Sequence, residues 1–402
     1  MLPEGEAKRT APGRPHISWE TTEPSAFGRG WMSGFLSAFF GLLGLGAVLC
    51  FHFPDWLTLP RLRPYYSVPY VRATIHLLLV SSFLLGIVSF CLRRNKAFAV
   101  VGMTLTLVAV LLGGSQVPLP EELGQGPLLG LDWFLLNLIV YSALYIPLER
   151  WFAKHPEQPT FRAQWRVDLT YFFLNTLLIQ FTTLLTLMPA MVFFNWARIP
   201  AIERLVAPLP LLVQIPAVLL VADFTQYWIH RAFHVVPFLW RFHTIHHSTE
   251  AMDWLAGSRL HVVDAVVTRG LTYIPIYVLG FSDVAMYAYV LIVVIQATFI
   301  HANVGWEFPG IRRLVATPCF HHWHHAAEPE AVDKNFSVHS PLWDWLFGTL
   351  YMPGRWPSKY GLCGKSDVPA SWVGQFIYPV WPKARHGGPG GSRAPADSEV
   401  AT

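Results

Sequence analysis

Charged residues are scarce in this chain: Asp, Glu, Lys and Arg make up only 13% of its 402 residues, whereas hydrophobic residues make up 53%. Because a globular domain carries about 25% charged residues, this composition excludes an ordinary soluble domain. Cysteine is also scarce, and none of the four cysteines stands in a C-x-x-C pair, which excludes a disulfide framework and a zinc ribbon. The net charge of +4 forms no organised basic patch, so no nucleic-acid partner is expected.

Long apolar runs fill much of the remaining sequence. A helix needs about 20 apolar residues to cross a bilayer. The sequence therefore predicts an all-α integral membrane protein, multi-pass, with about eight transmembrane helices. The predicted spans are 31–51, 71–92, 98–112, 128–148, 169–194, 205–222, 262–279 and 284–300.

Basic residues predict how these spans are oriented. The loops after the second and fourth spans are rich in Arg and Lys, so they are expected to be cytoplasmic. Arg61, Arg63 and Arg72 near the first external loop argue against this orientation, and seven or nine spans would change it. The first 30 residues are polar with several prolines, and the last 20 are rich in glycine, so flexible tails are expected at both ends.

Histidines are concentrated in one part of the sequence: twelve of the 17 fall between His230 and His339. Imidazoles three or four positions apart share a face of a helix, and neutral imidazole suits both iron and zinc. In the predicted topology every group reaches the same, cytoplasmic membrane face. The spacing therefore predicts a histidine-rich metal-binding cap on that face, with two metal ions. The groups are His230 and His234; His243, His246 and His247; His301; and His321, His324 and His325.

The residues around these histidines resemble the fatty acid hydroxylase and sterol desaturase superfamily of integral-membrane, non-haem di-iron enzymes. The resemblance covers about residues 165–355. It is carried by DFTQYWIHRAFH (223–234), WRFHTIHH (240–247), HANVGW (301–306), PCFHHWHH (318–325) and DKNFSVHSPLWDWLFGT (333–349).

The resemblance implies a chemistry and its cofactors. Two iron ions would use O2 as co-substrate and two electrons to hydroxylate, or desaturate, a C–H bond of a membrane lipid such as a fatty acyl chain or sterol. Hydroxylation is the favoured outcome. No fused cytochrome b5-like domain is visible, so electrons from NAD(P)H are expected to arrive through a separate cytochrome b5-like or ferredoxin-like protein. The oligomeric state is left open.

Spacing, inferred sidedness and resemblance together select the site residues, and no catalytic residue separate from the metal site is predicted. The predicted ligands are His230, His234, His243, His246, His247, His301, His321, His324 and His325. Five further residues are expected either to bind metal or to support the ligands: His261, Asp223, Asn303, Asp333 and Asn335.

Other polar residues near the motifs receive different interpretations. Asp223 is weighed equally as a partner of a ligating imidazole and as one end of a salt bridge to Arg231 or Arg166. His322 and His339 are expected to be partly solvated, and Asp344 is expected to be structural.

The predicted organisation has four parts: a flexible tail at 1–30, a four-span membrane region at 31–150, the di-iron core at 165–355 and a C-terminal tail at 356–402. The resemblance says nothing about the first four spans. Two alternative functions are kept. A zinc transporter or sensor would place ionisable ligands along a path within the spans, and a non-catalytic member would keep the fold without turnover.

Overall fold

The computed structural model describes residues 31–380, except for 61, 94, 121–123, 125–128 and 365. Within that part of the chain every regular element is helical, as predicted, and a single β-bridge joins Ala326 to Tyr360. The predicted flexible ends, 1–30 and the last 20 residues, lie outside the described residues. Numbered along the chain, the helices are α1 (Trp31–His52), α2 (Pro54–Leu57), α3 (Val68–Leu92), α4 (Ala97–Leu111), α5 (Leu131–Trp151), α6 (Trp165–Leu177), α7 (Ile179–Phe194), α8 (Pro200–Val206), α9 (Leu211–Val235), α10 (Pro237–His247), α11 (Val262–Leu279), α12 (Asp283–Phe299), α13 (Pro318–His324), α14 (Leu342–Leu346) and α15 (Trp372–Ile377).

Among the described helices, six are long and apolar enough to cross a membrane: α1, α3, α4, α5, α9 and α11. The chain is a multi-pass membrane protein. The sequence predicted about eight spans, and two of those eight have a different form here. The predicted span at 169–194 is divided between α6 and α7, and the one at 284–300 forms α12, which has 17 residues.

Helix α9 differs from the predicted sixth span in both of its ends. The sequence placed this span at 205–222, with His230 following it, but α9 begins at Leu211 and continues to Val235. Its buried residues include Tyr227 and Phe233, so the buried side of the helix extends past the predicted end. His230 and His234 therefore lie in the last two turns of a membrane-length helix, and not beyond the end of the span as its predicted bounds of 205–222 imply.

The chain divides into two compact units, of which the first contains the described residues 31–54 and 62–124. Its helices α1, α3 and α4 approach closely because small residues lie between them: a Cβ atom added to Gly41 would lie 2.8 Å from the carbonyl oxygen of Gly102. Ser37 and Ser82 each donate a hydroxyl hydrogen to the other's carbonyl oxygen, both at 2.7 Å. Small residues and interhelical hydrogen bonds of this kind hold membrane helices together.

The second unit contains residues 55–60 and the described residues from 129 to 380. It includes α5, which the sequence had grouped with the first three spans. It also includes residues 356–380, which the sequence had assigned to the C-terminal tail. Within that stretch Tyr378 packs with Tyr171 and Ile245 in a buried cluster. All of the predicted metal-binding histidines belong to this unit.

Candidate metal centre

Four structural elements of the second unit bring the predicted ligands together. Helix α9 ends at Val235, and Pro237 begins α10, so the chain turns sharply between two histidine-bearing helices. Proline is favoured in the first turn of a helix because its missing N–H would have no partner there. The turn after α12 supplies His301. Helix α13, whose first turn is capped by the Thr317 hydroxyl, supplies the last three ligand candidates.

One group contains five histidines whose ligand atoms all lie within 4.8 Å of one another. The Nε2 atoms of His230 and His243 are 3.0 Å apart. The rings of His230 and His324 lie 4.4 Å apart between centroids. The members of this five-histidine group are His230, His234, His243, His247 and His324.

A second group contains four buried histidines, again with ligand atoms within 4.8 Å of one another. The Nε2 atom of His301 lies 3.2 Å from that of His246 and 3.0 Å from that of His321. The Nε2 atoms of His321 and His325 are 3.1 Å apart. The members of this four-histidine group are His246, His301, His321 and His325.

The two groups are neighbours. The rings of His247 and His325, one from each group, are stacked with centroids 4.5 Å apart. His246 and His247 are consecutive on α10 and point into different groups, as do His324 and His325 at the end of α13. The structure therefore gathers all nine predicted ligands into two adjacent clusters, each able to hold one metal ion.

The outer nitrogen of most of these rings is fixed by an oxygen acceptor. Six of the nine imidazoles donate from Nδ1 to a carbonyl or carboxylate oxygen. Such a bond selects the tautomer whose Nε2 carries a lone pair, which is the form that binds metal. The acceptors are the carbonyls of Phe336 for His230, Arg259 for His246, Ala297 for His301 and Lys334 for His324, and the carboxylates of Asp333 for His234 and Asp264 for His243.

This pattern makes the centre fit a cation. Because His230 and His243 both donate from Nδ1, their Nε2 atoms present two lone pairs to each other at 3.0 Å. The Nε2 atoms of His246 and His301 face each other in the same way at 3.2 Å. Two acceptors at such a distance repel unless a cation lies between them. Among the described residues, the buried Nε2 atoms of His234, His247 and His324 have no hydrogen-bond partner, and such orphaned atoms fit ligand positions.

Burial keeps six of these imidazoles neutral. It lowers the pKa of His246 and His247 well below the usual value, with neighbouring imidazoles adding to the effect, and the same causes act on His321, His324 and His325. Burial likewise lowers the pKa of His301 to about 4. Neutral nitrogen donors without carboxylates suit divalent iron or zinc and exclude a magnesium or calcium site.

Of the carboxylates that the sequence singled out, Asp333 reaches a ligand candidate and Asp223 does not. Asp333, in the left-handed backbone region at φ 58°, lies 3.3 Å from Nδ1 of His234. Asp223 instead accepts the backbone N–H groups of residues 338, 339 and 340 at 2.8 to 2.9 Å. Neither role weighed for Asp223, a partner of an imidazole or of an arginine, is the one found.

The remaining candidates for the centre also have structural roles. His261 lies outside both groups; its Nδ1 accepts the backbone N–H of Val263 and so caps α11. Asn303 forms two hydrogen bonds with the backbone of His155. Asn335 donates to the carbonyls of Phe320 and Tyr351.

Two further histidines differ from expectation. His322 and His339 were expected to be partly solvated, but both are buried. His322 is bonded to the Tyr360 hydroxyl and donates to the Ala302 carbonyl, and His339 donates to the Gln296 side chain. His322 follows His321 by about 100° around α13, so it points away from the metal face. Both expectations are wrong, because His322 packs against Trp356 and Tyr360, which follow in the chain, and His339 packs against Tyr289 and Gln296 of α12.

Sequence reasoning missed five of the six residues that hold ligand candidates: Asp264, and the four that accept through a backbone carbonyl, Phe336, Arg259, Ala297 and Lys334. Asp264 lies in the first turn of α11 and accepts from His243. An acidic residue three positions after His261 is the sequence signal that could have predicted this contact. Arg259 acts through its backbone carbonyl, which any residue type supplies, so no sequence signal marks it.

Known proteins resemble this part of the chain. A family model described as fatty acid hydroxylase matches residues 215–349. Ornithine lipid hydroxylase OlsE of Rhizobium tropici is 30% identical over 179 residues, which are 44% of this chain and 53% of that protein. Alkylglycerol monooxygenase of Danio rerio is 27% identical over 156 residues, which are 39% of this chain and 34% of that protein. Alkylglycerol monooxygenase of Homo sapiens is 30% identical over 129 residues, which are 32% of this chain and 28% of that protein. The match thus spans about half or less of each of these relatives. No solved structure matches the chain.

The fold and the site define a class: multi-pass membrane proteins with two adjacent clusters of buried histidines. Residues 215–349 match the fatty acid hydroxylase family model, which confirms the resemblance seen in the histidine motifs.

Proposed function

We propose that the protein is a membrane-bound, non-haem di-iron oxidoreductase that uses O2 and two electrons to hydroxylate a C–H bond of a lipid. The observation that carries this proposal is the pair of facing lone pairs in each histidine group, His230 with His243 and His246 with His301. The all-nitrogen donor set suits iron and zinc equally. Iron is chosen because the chain's relatives include proteins named as lipid hydroxylases and monooxygenases.

The nine histidines would hold one iron ion in each group. Iron bound there would supply O2 activation and removal of a hydrogen atom from an unactivated carbon. The protein's own contribution is to fix the imidazoles and to keep water out. The rings of Trp240 and Phe336 lie 5.1 Å and 5.0 Å from the ring of His234, so aromatic side chains cover one side of the five-histidine group. A dry site favours C–H oxidation because it limits side reactions with water.

The proposed substrate is a membrane lipid with an alkyl chain, such as a fatty acyl lipid or a sterol. Helix α9 supports this, because it is long enough to cross the membrane and carries His230 and His234 in its last two turns. A lipid entering sideways from the bilayer would reach the centre without leaving an apolar environment. Two relatives, named for an ornithine lipid and for alkylglycerol, favour a lipid with a polar headgroup.

The remaining parts of the proposal concern orientation, organisation and electrons. We place the centre on the cytoplasmic face, following the basic loops after the second and fourth predicted spans. Residues 165–355 are proposed as the catalytic core. Electrons would come from NAD(P)H through a separate cytochrome b5-like or ferredoxin-like protein.

Metal content is the first test of this function. Full-length protein from cells fed iron-57 should contain about two irons per chain and give the Mössbauer spectrum of an iron pair. The double variant His246→Ala, His324→Ala removes one ligand from each group and should lose that iron. His76→Ala is the matched control, because His76 is exposed on α3. Iron-free protein from iron-replete cells, or metal unchanged in the double variant, would overturn the site; bound zinc instead would favour the transport or sensing alternative.

The reaction is tested with labelled oxygen. Iron-loaded protein is supplied with NADPH, a redox partner and candidate lipids under oxygen-18 gas. A product that carries the label in a new hydroxyl group supports hydroxylation. A new double bond without label identifies a desaturase. Two bound irons without any product from a broad lipid set would favour the non-catalytic alternative.

A further inference from the structure

Residues 253–259, here called the clamp segment, contact two members of the four-histidine group. The segment lies between α10 and α11 and includes a 3-10 turn at Ala256–Ser258. The carbonyl oxygen of Arg259 accepts from Nδ1 of His246 at 3.1 Å. Gly257 packs its bare Cα against His301: an added Cβ would lie 3.0 Å from Nδ1 and 3.1 Å from Cγ of that ring. One short segment thus sets the position of two imidazoles.

Buried ion pairs hold the clamp segment in place. Arg259 is fully buried, and its guanidinium is paired with Asp168 and also donates to Gln164 at 2.8 Å. Arg162, also buried, bonds Asp168 at 2.6 Å and Asp253 at 2.7 Å. Because separating a buried ion pair leaves a charge unpaired at high cost, these pairs oppose movement of the clamp segment. The backbone carbonyl of Arg259 is therefore fixed through its side chain.

A second tether joins the clamp segment to the turn that carries His301. One carboxylate oxygen of Glu149, at the end of α5, accepts the backbone N–H of Trp254 at 2.6 Å and that of Asn303 at 2.9 Å. The same atom thus fixes the clamp and the chain two residues after His301. The His301 ring cannot move freely away from Gly257, because its own Nδ1 donates to the Ala297 carbonyl at 2.6 Å.

We propose that the clamp segment is the positioning element of the four-histidine group, in which Gly257 sets the ring plane of His301 and Arg259 sets that of His246. This inference rests on the proposed function, since it supposes that the group binds an ion. Its distinctive consequence is that affinity at one of the two metal positions can be changed without altering any ligand. The five-histidine group takes its outer contacts from other residues: Asp264, Asp333, Lys334 and Phe336.

The test compares two glycine substitutions in the full-length protein. Gly257→Ala pushes a methyl group against His301, whereas a Cβ at Gly310 would meet nothing within 4 Å, so Gly310→Ala is the matched control. Neither glycine has a positive φ, so the comparison isolates the contact with the ring. Metal-free protein is titrated anaerobically with ferrous iron. We expect Gly257→Ala to weaken binding at one of two positions by about 10- to 100-fold, the usual effect of disturbing a ligand's support, and Gly310→Ala to match the wild type.

A double-mutant cycle shows which position is affected. In the His301→Ala background the ring is gone, so adding Gly257→Ala should weaken iron binding no further. His234 belongs to the other group, so in the His234→Ala background Gly257→Ala should weaken iron binding as much as it does in the wild type. Equal effects of Gly257→Ala in both backgrounds, or no effect on iron binding at either position, would contradict the proposed positioning role of the clamp segment. Wild-type protein that binds no iron would instead overturn the proposed function.

Arg259→Lys provides a second route if Gly257→Ala does not fold. Lysine keeps the buried charge beside Asp168 but loses the planar fork that also reaches Gln164. The carbonyl then becomes mobile while every ligand stays intact. We expect the same selective loss of affinity at one position, with His246→Ala as the background that abolishes it. Two positions with wild-type affinity in Arg259→Lys would contradict the role of Arg259.

Discussion

His243 and Asp264 form a buried pair in which Nδ1 of the imidazole donates to Oδ2 of the carboxylate at 2.6 Å. The pair joins α10 to the first turn of α11. A carboxylate on the outer nitrogen makes an imidazole a more basic ligand and fixes its ring plane. Among the three ligand candidates on α10, His243 has this carboxylate support, whereas His246 is held by a neutral carbonyl.

Asp264→Asn should therefore weaken metal binding at the five-histidine group. The amide keeps the shape of the side chain but removes its charge, and we expect a loss of about 10- to 100-fold in ferrous iron affinity at one position. Anaerobic titration measures it. Asp367→Asn is the control, since Asp367 is exposed and accepts from Tyr378, outside both groups. Unchanged affinity at both positions would show that the carboxylate charge contributes nothing.

Asp223→Ala should loosen the loop that follows the last histidine motif. The carboxylate accepts three consecutive backbone N–H groups, and each such bond to a charged acceptor contributes about 1.5 to 3 kcal/mol. Removing them leaves three backbone donors without this acceptor, one buried and two partly buried. We expect a lower unfolding temperature and faster proteolysis within residues 333–349. Glu157→Ala is the control, because Glu157 is exposed. This variant should keep the unfolding temperature and the rate of proteolysis near those of the wild type.

Gly102→Ala should destabilise the first unit. A Cβ atom there would lie 2.1 Å from the Ser37 hydroxyl and 2.5 Å from the Ser37 carbonyl carbon, so α1 and α4 must separate. Overpacking of this kind costs about 1 to 3 kcal/mol, or more where backbone must move. Thermal unfolding in mild detergent measures the loss. Val100→Ala, at an exposed position on the same helix, is the control, and an equal change in the two variants would contradict the close approach of the helices.

His339 should make stability depend on pH. Burial lowers its pKa from 6.5 to about 4, so between these values the unfolded chain binds a proton that the folded protein does not. Stability from this group is present above pH 6.5 and is lost as pH falls toward 4. His339→Asn removes this proton-binding group. Between pH 6.5 and pH 4 its unfolding temperature should therefore fall less steeply than that of the wild type.

The positions of the ligand candidates could be predicted from sequence because their geometry is local. Spacings of three and four residues on α10 and α13 already determine which imidazoles share a face, and the nine selected histidines form the two groups. The division into five and four could not be read from the motifs. His246 and His247 are consecutive yet belong to different groups, and only the crossing of α10 with the turn after α12 decides this.

The supporting residues could not be predicted for a different reason. Four of the six outer acceptors are backbone carbonyls, among them those of Arg259 and Lys334, and a carbonyl leaves no trace in residue type. The number of spans could not be predicted from composition either. A run of apolar residues predicts burial in lipid or protein, but it does not predict one continuous helix. The run at 169–194 is divided between two helices, which are separated at Leu178.

Because α9 is one uninterrupted helix from Leu211 to Val235, the depth of His230 in the bilayer follows from counting residues. Each residue adds about 1.5 Å of height and about 100° of rotation. Inserting a single residue between Leu211 and His230 would thus move the imidazole along the membrane normal and also turn it out of its group. In the enzyme proposed above, helix length measured from the opposite leaflet would then determine which carbon of a lipid can reach the metal.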